Sequence, residues 1–186
     1  MKHINHKMKK RSNVIVKLGI AMGFLLLSFG VGHAQYSPIY KTPYTTALGI
    51  RVGGTSGATV KHFFRPATAV EGILGTFGNG FSLTGLIEKN AQAFDVIGLS
   101  WYYGGGAHIA FYNGNRYYNV YGRDVTYRDN HDVGIGVNGI IGLEYILPDD
   151  IPVAFSLDLK PFIEIDSDGD VGVAPDLALG IKFLIR

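Results

Sequence analysis

One stretch near the C-terminus decides the fold class: Val153-Ala-Phe-Ser-Leu-Asp-Leu-Lys-Pro-Phe-Ile-Glu-Ile165. Its odd positions are Val, Phe, Leu, Leu, Pro, Ile and Ile, whereas its even positions include Ser156, Asp158, Lys160 and Glu164. Successive side chains of a β-strand point to opposite faces of the sheet. The alternation therefore predicts a strand with one apolar face and one polar face.

The same alternation recurs through the chain and divides it into eight segments. They run approximately over residues 45–54, 58–65, 69–77, 81–88, 97–111, 133–147, 153–165 and 172–186. The stretches between them are rich in Gly, Asn, Asp, Ser and Pro, the residues that tight turns require. Short turns without a predicted helix indicate an antiparallel up-and-down sheet, and eight strands can close into a barrel without free edges. The sequence therefore predicts an all-β, eight-stranded antiparallel barrel over residues 45–186.

The first 34 residues differ from the rest and predict a cleaved signal peptide, so that 1–34 is expected to be removed on export. Residues 1–17 are basic, residues 18–32 form an apolar run, and Gly32-His33-Ala34 places small residues before a cleavage site. The apolar run is shorter than the roughly 20 residues that a membrane-spanning helix needs. Residues 35–44 contain two prolines and are expected to form an extended segment that leads into the barrel.

Composition excludes several functional classes. The leader contains six of the 17 Lys and Arg residues and none of the 15 Asp and Glu residues, so the remaining chain has 11 basic and 15 acidic side chains. This acidic balance argues against a nucleic-acid-binding protein. The chain has no cysteine, which excludes a disulfide framework, a thiolate metal site, a cysteine nucleophile and a lipid-anchored lipoprotein.

The charges indicate which face of the barrel is inside. Eleven strand charges, Arg65 among them, fall on the polar parity together with many glycines, whereas bulky apolar residues occupy the other parity. Small residues and balanced charges suit the narrow interior of an eight-stranded barrel, so we expect a closed polar lumen and a transmembrane barrel whose apolar wall faces lipid. The predicted interior network consists of Arg51, Lys61, Glu71, Glu88, His108, Glu144, Asp158, Lys160, Glu164, Asp176 and Lys182.

Aromatic residues support a lipid-facing wall. Trp101 and Phe111 lie ten residues apart on one predicted strand, which corresponds to about 25 Å along the axis of a barrel with tilted strands. We expect aromatic girdles at the two interfaces. One contains Phe64, Trp101, Tyr145, Phe155 and Phe183, and the other contains Phe81 and Phe111. With a periplasmic N-terminus, 66–68 and 148–152 become periplasmic turns and 112–132 becomes an extracellular loop.

Three stretches carry a resemblance to a known family: Leu99-Ser-Trp-Tyr-Tyr-Gly-Gly-Gly-Ala-His108, Ile151-Pro-Val-Ala-Phe-Ser-Leu-Asp-Leu-Lys-Pro161 and Leu177-Ala-Leu-Gly-Ile-Lys-Phe183. The chain resembles the small eight-stranded outer-membrane β-barrels of Gram-negative bacteria, of the OmpA transmembrane and OmpX type, over residues 45–186. The resemblance implies a monomer in the outer membrane that contacts outer-membrane lipid, lipopolysaccharide and the barrel-insertion machinery. Such barrels usually end on an aromatic residue, whereas this chain ends on Arg186.

Several further features could carry chemistry. Residues 166–170 (Asp-Ser-Asp-Gly-Asp) space carboxylates as an incomplete calcium loop would, but the distal Glu is missing, so a solvated acidic turn is the simpler interpretation. His108 shares the polar face with Ser100, and no recognised Ser-His-acid motif accompanies them. His62 falls on the apolar parity, which an interfacial position would explain. The loop 112–132 mixes tyrosines with arginines, as recognition surfaces do, and could bind a surface ligand or cap the barrel against lipopolysaccharide phosphates.

Three functional hypotheses are compatible with these features. The first is a non-enzymatic structural or surface-interaction barrel of the adhesion type, with a closed lumen and with no catalytic, cofactor-binding or metal-binding residue. The second is an outer-membrane lipid-modifying enzyme that requires His108. The third is a small-solute pore, which five basic and six acidic groups in one narrow lumen would block by pairing with one another. The sequence favours the first hypothesis.

Overall fold

The computed structural model describes residues 44–78, 80–112, 116–120, 123–127, 132–148, 151–167, 169 and 171–185. The predicted signal peptide and almost all of the predicted lead-in segment lie outside these ranges. No helix in the described ranges is long and apolar enough to cross a membrane. The described chain consists of strands and the turns that connect them.

The described chain forms twelve strands. They are β1 (Thr46–Gly53), β2 (Ser56–Arg65), β3 (Thr68–Phe77), β4 (Gly80–Gln92), β5 (Leu99–Tyr112), β6 (Arg116–Val120), β7 (Arg123–Tyr127), β8 (Asp132–Ile146), β9 (Val153–Leu159), β10 (Phe162–Asp166), β11 (Val171–Ala174) and β12 (Leu177–Ile185). Ten of them belong to one sheet, and β6 and β7 form a separate two-stranded hairpin.

The large sheet closes on itself. Consecutive strands β1 to β5 pair antiparallel, β5 pairs with β8, and β8 pairs with both β9 and β10. β12 pairs with β9 on one side and returns to pair with β1 on the other, so no strand edge remains open around the circle. Because β9 and β10 form one interrupted strand, and β11 and β12 another, the barrel has eight strands. The predicted fold class is confirmed.

The interruption between β9 and β10 has a covalent cause. Pro161 has no N–H group and cannot donate to a neighbouring strand. The backbone partners on both sides nevertheless stay in place: the Lys160 N–H donates to the carbonyl of Asp176 (2.7 Å) and the Gly139 N–H donates to the carbonyl of Pro161 (2.9 Å). The segment predicted as one strand over 153–165 therefore forms one interrupted strand of the barrel, made of β9 and β10.

Two regions differ from the sequence prediction. β4 runs to Gln92, whereas the predicted strand ended at residue 88, and the turn that follows it occupies residues 93–98. Phe94 and Asp95 both adopt positive φ angles, of 52° and 54°, in this turn. The predicted loop 112–132 contains the β6–β7 hairpin, and residues 113–115, 121–122 and 128–131 of that loop lie outside the described ranges.

The apolar parity faces outward. In β12, Leu179 is 64% exposed whereas Lys182 is 3% exposed, and buried and exposed residues alternate strictly along β12 and along β9 from Ala154 onward. A water-soluble barrel would show the opposite arrangement, because its apolar side chains would fill the interior. The predicted girdle residues are on this outer wall, where Phe81 stacks on Phe111 at 4.8 Å and Trp101 stacks on Tyr103 at 5.2 Å between ring centroids.

Two glycines on neighbouring strands provide a matched test of how closely the strand backbones approach each other. A Cβ atom on Gly106 would collide with the carbonyl oxygen of Gly85, whereas a Cβ atom on Gly85 would meet nothing within 4 Å. We expect Gly106→Ala to lower the free energy of unfolding by about 1–3 kcal/mol, since backbone must move to accept the methyl group. Gly85→Ala should change it by less than about 0.5 kcal/mol. Urea unfolding in lipid vesicles measures both values, and equal effects would contradict the close approach.

Candidate functional site

All eleven residues of the polar network predicted from the sequence lie in the interior of the barrel. Ten of them are buried, and the side chain of the eleventh, His108, is 6% exposed. Nine of them lie on strands, one each on β1, β2, β3, β4, β5, β8, β9, β10 and β12. The other two are Lys160, between β9 and β10, and Asp176, between β11 and β12. We call the end of the barrel where β1 begins, β12 ends and β2 turns into β3 the termini end. The opposite end, where the connection from β5 to β8 contains β6 and β7, is called the hairpin end.

Two lysines organise the half of the lumen next to the termini end. Lys61 Nζ lies 2.9 Å from Glu88 Oε2 and 3.8 Å from Glu144 Oε2. Lys182 Nζ lies 3.1 Å from the same Glu144 oxygen and 3.4 Å from Glu71 Oε1. Each ammonium group is thus shared between two carboxylates that come from different strands. This arrangement ties β2, β3, β4, β8 and β12 together across the lumen.

A second network forms around a single arginine near the middle of the barrel. Arg51 Nη2 lies 2.6 Å from Asp158 Oδ1, and Arg51 Nη1 lies 3.1 Å from Asp176 Oδ2. Lys160 Nζ approaches the same Asp176 oxygen at 3.0 Å, and the Thr55 N–H donates to the other oxygen at 2.9 Å. The network therefore crosses the seam where the last strand of the barrel meets the first.

Tyr102 joins the two networks and is a residue that the sequence analysis did not include among them. Its hydroxyl group donates to Asp158 Oδ2 at 3.3 Å, and its ring lies 4.3 Å from Lys61 Nζ and 5.4 Å from Lys182 Nζ. A cation above an aromatic face is stabilised by the negative potential of the ring. The alternation along β5 predicts that Tyr102 faces inward, but it does not predict its partners, which come from three other strands.

A cluster of buried apolar side chains lies at the termini end of the lumen. The cluster there consists of Tyr44, Ala47, Phe63, Ala69, Ala154 and Leu184. The Tyr44 hydroxyl donates to Glu144 Oε1 at 2.6 Å, which connects this cluster to the lysine network. A second apolar cluster, formed by Ile73, Leu86 and Ile140 with Tyr102, lies within the lumen. Bulky apolar residues on the inward parity were not expected from the sequence.

His108 belongs to a separate pair toward the hairpin end. Its Nε2 atom lies 2.9 Å from Glu164 Oε2, and the Tyr112 hydroxyl donates to the other Glu164 oxygen at 2.5 Å. Ser100, which shares the inward parity, instead donates to the carbonyl of Glu144 at 3.3 Å. Eight residues along one strand span about 26 Å, so Ser100 and His108 are too far apart to act as nucleophile and base.

Three charged residues depart from the sequence prediction. Arg65 was expected inside but is exposed, because a β-bulge shifts the register between Phe63 and Arg65. Lys89 was expected in a turn but lies exposed on β4, on the apolar parity. Asp166 was expected in the acidic turn but is a buried residue of β10. The described lumen accordingly carries four basic and seven acidic side chains besides His108.

The remaining sequence features are only partly described. Asp168 and Asp170 of the possible calcium loop lie outside the described ranges. No group of three or more His, Cys, Asp or Glu side chains that could hold a metal ion occurs within the described part of the chain. The hairpin in the predicted recognition loop pairs Arg116 with Tyr127 and Val120 with Arg123 at its two ends.

A closed antiparallel barrel of eight strands, with ion pairs inside and aliphatic and aromatic side chains outside, is a transmembrane β-barrel. No protein-family model matches the chain, and no curated protein matches it. Among solved structures, Neisserial surface protein A (NspA) is similar with 12% sequence identity and a TM-score of 0.45, over 75% of this chain and 93% of that chain. CarO2 of Acinetobacter baumannii is similar with 10% identity and a TM-score of 0.36, over 77% of this chain and 100% of that chain. The expected resemblance to small eight-stranded outer-membrane barrels is confirmed for the fold. The fold assignment itself is based on the strand pairing of this chain.

Proposed function

We propose that this protein is a monomeric outer-membrane barrel with a closed lumen and a structural or surface-interaction role. The observation that carries the proposal is the set of ion pairs between inward side chains. All four described basic side chains of the lumen contact carboxylates, and three of them contact two carboxylates each. An eight-stranded barrel has an interior just wide enough for side chains to fill, so we expect such networks to leave no aqueous path through it.

The dimensions and the turns support an outer-membrane location and an orientation. β5 carries outward aromatic residues ten positions apart, Trp101 and Phe111, which matches the roughly 25 Å apolar band of such barrels. The termini end has the 66–67 turn, whereas the hairpin end carries the longest connection, from residue 113 to residue 131. Outer-membrane barrels have short periplasmic turns and longer extracellular loops. We therefore assign the termini end to the periplasm.

The β6–β7 hairpin is the proposed place of contact with a surface partner or with lipopolysaccharide. It belongs to the connection between β5 and β8, which is extracellular in this orientation, and its sequence includes Tyr117, Tyr118, Arg116 and Arg123. Tyrosine and arginine are enriched in protein interfaces, and arginine also binds phosphate groups. A lipid-modifying activity has less support, because the only inward histidine of the described strands pairs with Glu164 and is far from Ser100.

Envelope fractionation, an unheated gel and planar-bilayer recording together test the proposal. We expect the protein in the outer-membrane fraction, a different gel mobility before and after boiling, and no ion conductance in the purified barrel. The gel shift follows from a closed barrel that resists detergent until it is heated, and the absence of conductance follows from the filled lumen.

Each alternative has its own readout in the same preparation. A soluble periplasmic protein without a mobility shift would contradict the membrane assignment. Steady single-channel conductance would favour the pore. A change in lipid A that depends on the protein and disappears in His108→Ala, with the mobility shift unchanged, would favour the enzyme.

A further inference from the structure

The outer wall of the barrel carries a small basic patch. Among the strand residues whose burial is described, His62, Arg65 and Lys89 are the only His, Lys, Arg, Asp or Glu side chains that are exposed outside the lumen. All three are of the basic type, although acidic residues outnumber basic ones in the chain after the leader. They lie on β2 and β4, which flank β3, at the termini end. We call His62, Arg65 and Lys89 with Thr68 of β3 the basic wall patch.

The strand register brings the members of the patch into adjacent rows. Arg65 is paired with Thr68, and Thr68 is paired with Lys89, so the two cations flank one residue of the middle strand. Lys89 Nζ donates to Thr68 Oγ1 at 2.7 Å, which directs the ammonium group toward β3. Directly across strands, residues in this arrangement have Cβ atoms about 4.5–5.5 Å apart. A single anionic group can therefore reach both cations.

The next row toward the middle of the membrane contains His62 and two apolar residues. His62 is paired with Val70, and Val70 is paired with Ile87. Val70 and Ile87 are both exposed on the outer wall. Phe64 is also exposed there, and Arg65 Cζ lies 5.8 Å from the centre of its ring. The patch thus combines a cationic head with an apolar track and an interfacial aromatic ring.

Neither Arg65 nor Lys89 has a carboxylate partner in the described part of the chain. The acidic residues on the same strands, Glu71 and Glu88, face the lumen, where Lys182 and Lys61 hold them. A cation on a lipid-facing wall is costly in the hydrocarbon region, and long basic side chains reduce this cost by reaching the polar interface. Two cations at one spot of the interface, without a carboxylate partner among the described residues, create a site for an anion that the membrane itself supplies.

We propose that the basic wall patch binds the phosphate of an anionic glycerophospholipid in the periplasmic leaflet. The phosphate lies between Arg65 and Lys89, and one acyl chain follows Val70 and Ile87 along the wall. This inference rests on the proposed outer-membrane orientation. An anionic lipid is preferred over a zwitterionic one, because the ammonium group of a zwitterionic headgroup already compensates its own phosphate.

The single tryptophan of the chain provides a local probe for this site. Lys89 is paired with Tyr103 of β5, and the Tyr103 ring stacks on Trp101, which is exposed on the outer wall. Lipids with dibrominated acyl chains quench tryptophan fluorescence on contact. Trp101 emission therefore reports which phospholipid occupies the wall beside the patch.

The test uses the full barrel inserted into phosphatidylcholine vesicles that contain a minor fraction of brominated phosphatidylglycerol or, in a parallel sample, brominated phosphatidylcholine. One basic residue near an anionic lipid contributes about a fivefold preference. We expect phosphatidylglycerol to be preferred at least about fivefold in the wild-type protein, and the preference to fall with added salt. In Arg65→Gln/Lys89→Gln, the two lipids should quench equally.

The matched control is Arg65→Lys/Lys89→Arg, which keeps both positive charges on β2 and β4 and should keep the wild-type preference. Equal quenching by both lipids in the wild-type protein, a preference that survives in Arg65→Gln/Lys89→Gln, or a loss in the control would each overturn the lipid site. A wild-type chain that does not insert, as judged by an unchanged gel mobility on boiling, would instead overturn the proposed function.

Discussion

Replacing Arg51 with methionine is expected to lower the free energy of unfolding of the barrel by about 3–5 kcal/mol, the usual cost of removing one partner from a buried ion pair. Arg51 contacts Asp158 at 2.6 Å and Asp176 at 3.1 Å, and all three side chains are buried. Lys160 would still hold Asp176, but Asp158 would keep only the 3.3 Å hydrogen bond from Tyr102. Urea unfolding in lipid vesicles, followed by Trp101 fluorescence, measures the change.

A double substitution distinguishes the effect of losing the ion pair from the effect of losing the packing of the guanidinium group. Arg51→Met/Asp158→Asn removes the carboxylate that Arg51→Met leaves without its cation, so the double variant should recover a large part of the lost stability. A wild-type denaturation midpoint for Arg51→Met would contradict the network. A double variant that is less stable than the single variant would show that packing of the guanidinium group, and not its charge, stabilises the seam.

Replacing Leu179 with arginine is expected to lower the free energy of unfolding in a bilayer by about 2–4 kcal/mol. Leu179 is exposed, and it lies between Val52 of β1 and Leu157 of β9 in the sheet, near the middle of the track from residue 171 to residue 185. An arginine at that depth must enter the hydrocarbon region. The same change on the surface of a soluble barrel would alter stability by less than about 0.5 kcal/mol.

The matched depth control is Val171→Arg, at the hairpin end of the same track, where β11 begins. Val171 is also exposed, and arginine near an interface costs only about 0–1 kcal/mol. The difference between the two variants therefore measures depth in the membrane. Equal and small effects at both positions would contradict a lipid-facing wall.

The sequence was sufficient to place most residues on the correct face, because the two-residue period of a strand is a local property. The alternation of Asp158, Lys160 and Glu164 with apolar neighbours survives the break at Pro161, since the backbone pairing continues across it. The prediction was wrong for Arg65, where one bulged residue changes the phase of the alternation. Lys89 was missed for a different reason, because the end of β4 has no Gly or Pro to mark it.

The partners within the lumen could not be predicted in the same way. Arg51 and Asp176 are 125 residues apart in sequence and meet only because β12 returns to pair with β1. Tyr102 reaches Asp158, Lys61 and Lys182 from three strands, which requires the register of each strand around the circle. Likewise, the basic wall patch exists because bulge and register bring Arg65 and Lys89 to either side of Thr68.

The amino-acid sequence by itself thus determined that the chain forms a closed eight-stranded barrel with an apolar outer wall and a charged interior, because alternation and turn chemistry are encoded within a few neighbouring residues. Only the tertiary structure decided which charges pair, which apolar residues cluster at the termini end and where the outer wall keeps its basic residues. Those contacts depend on closure and on the register between strands, and no short stretch of sequence contains that information.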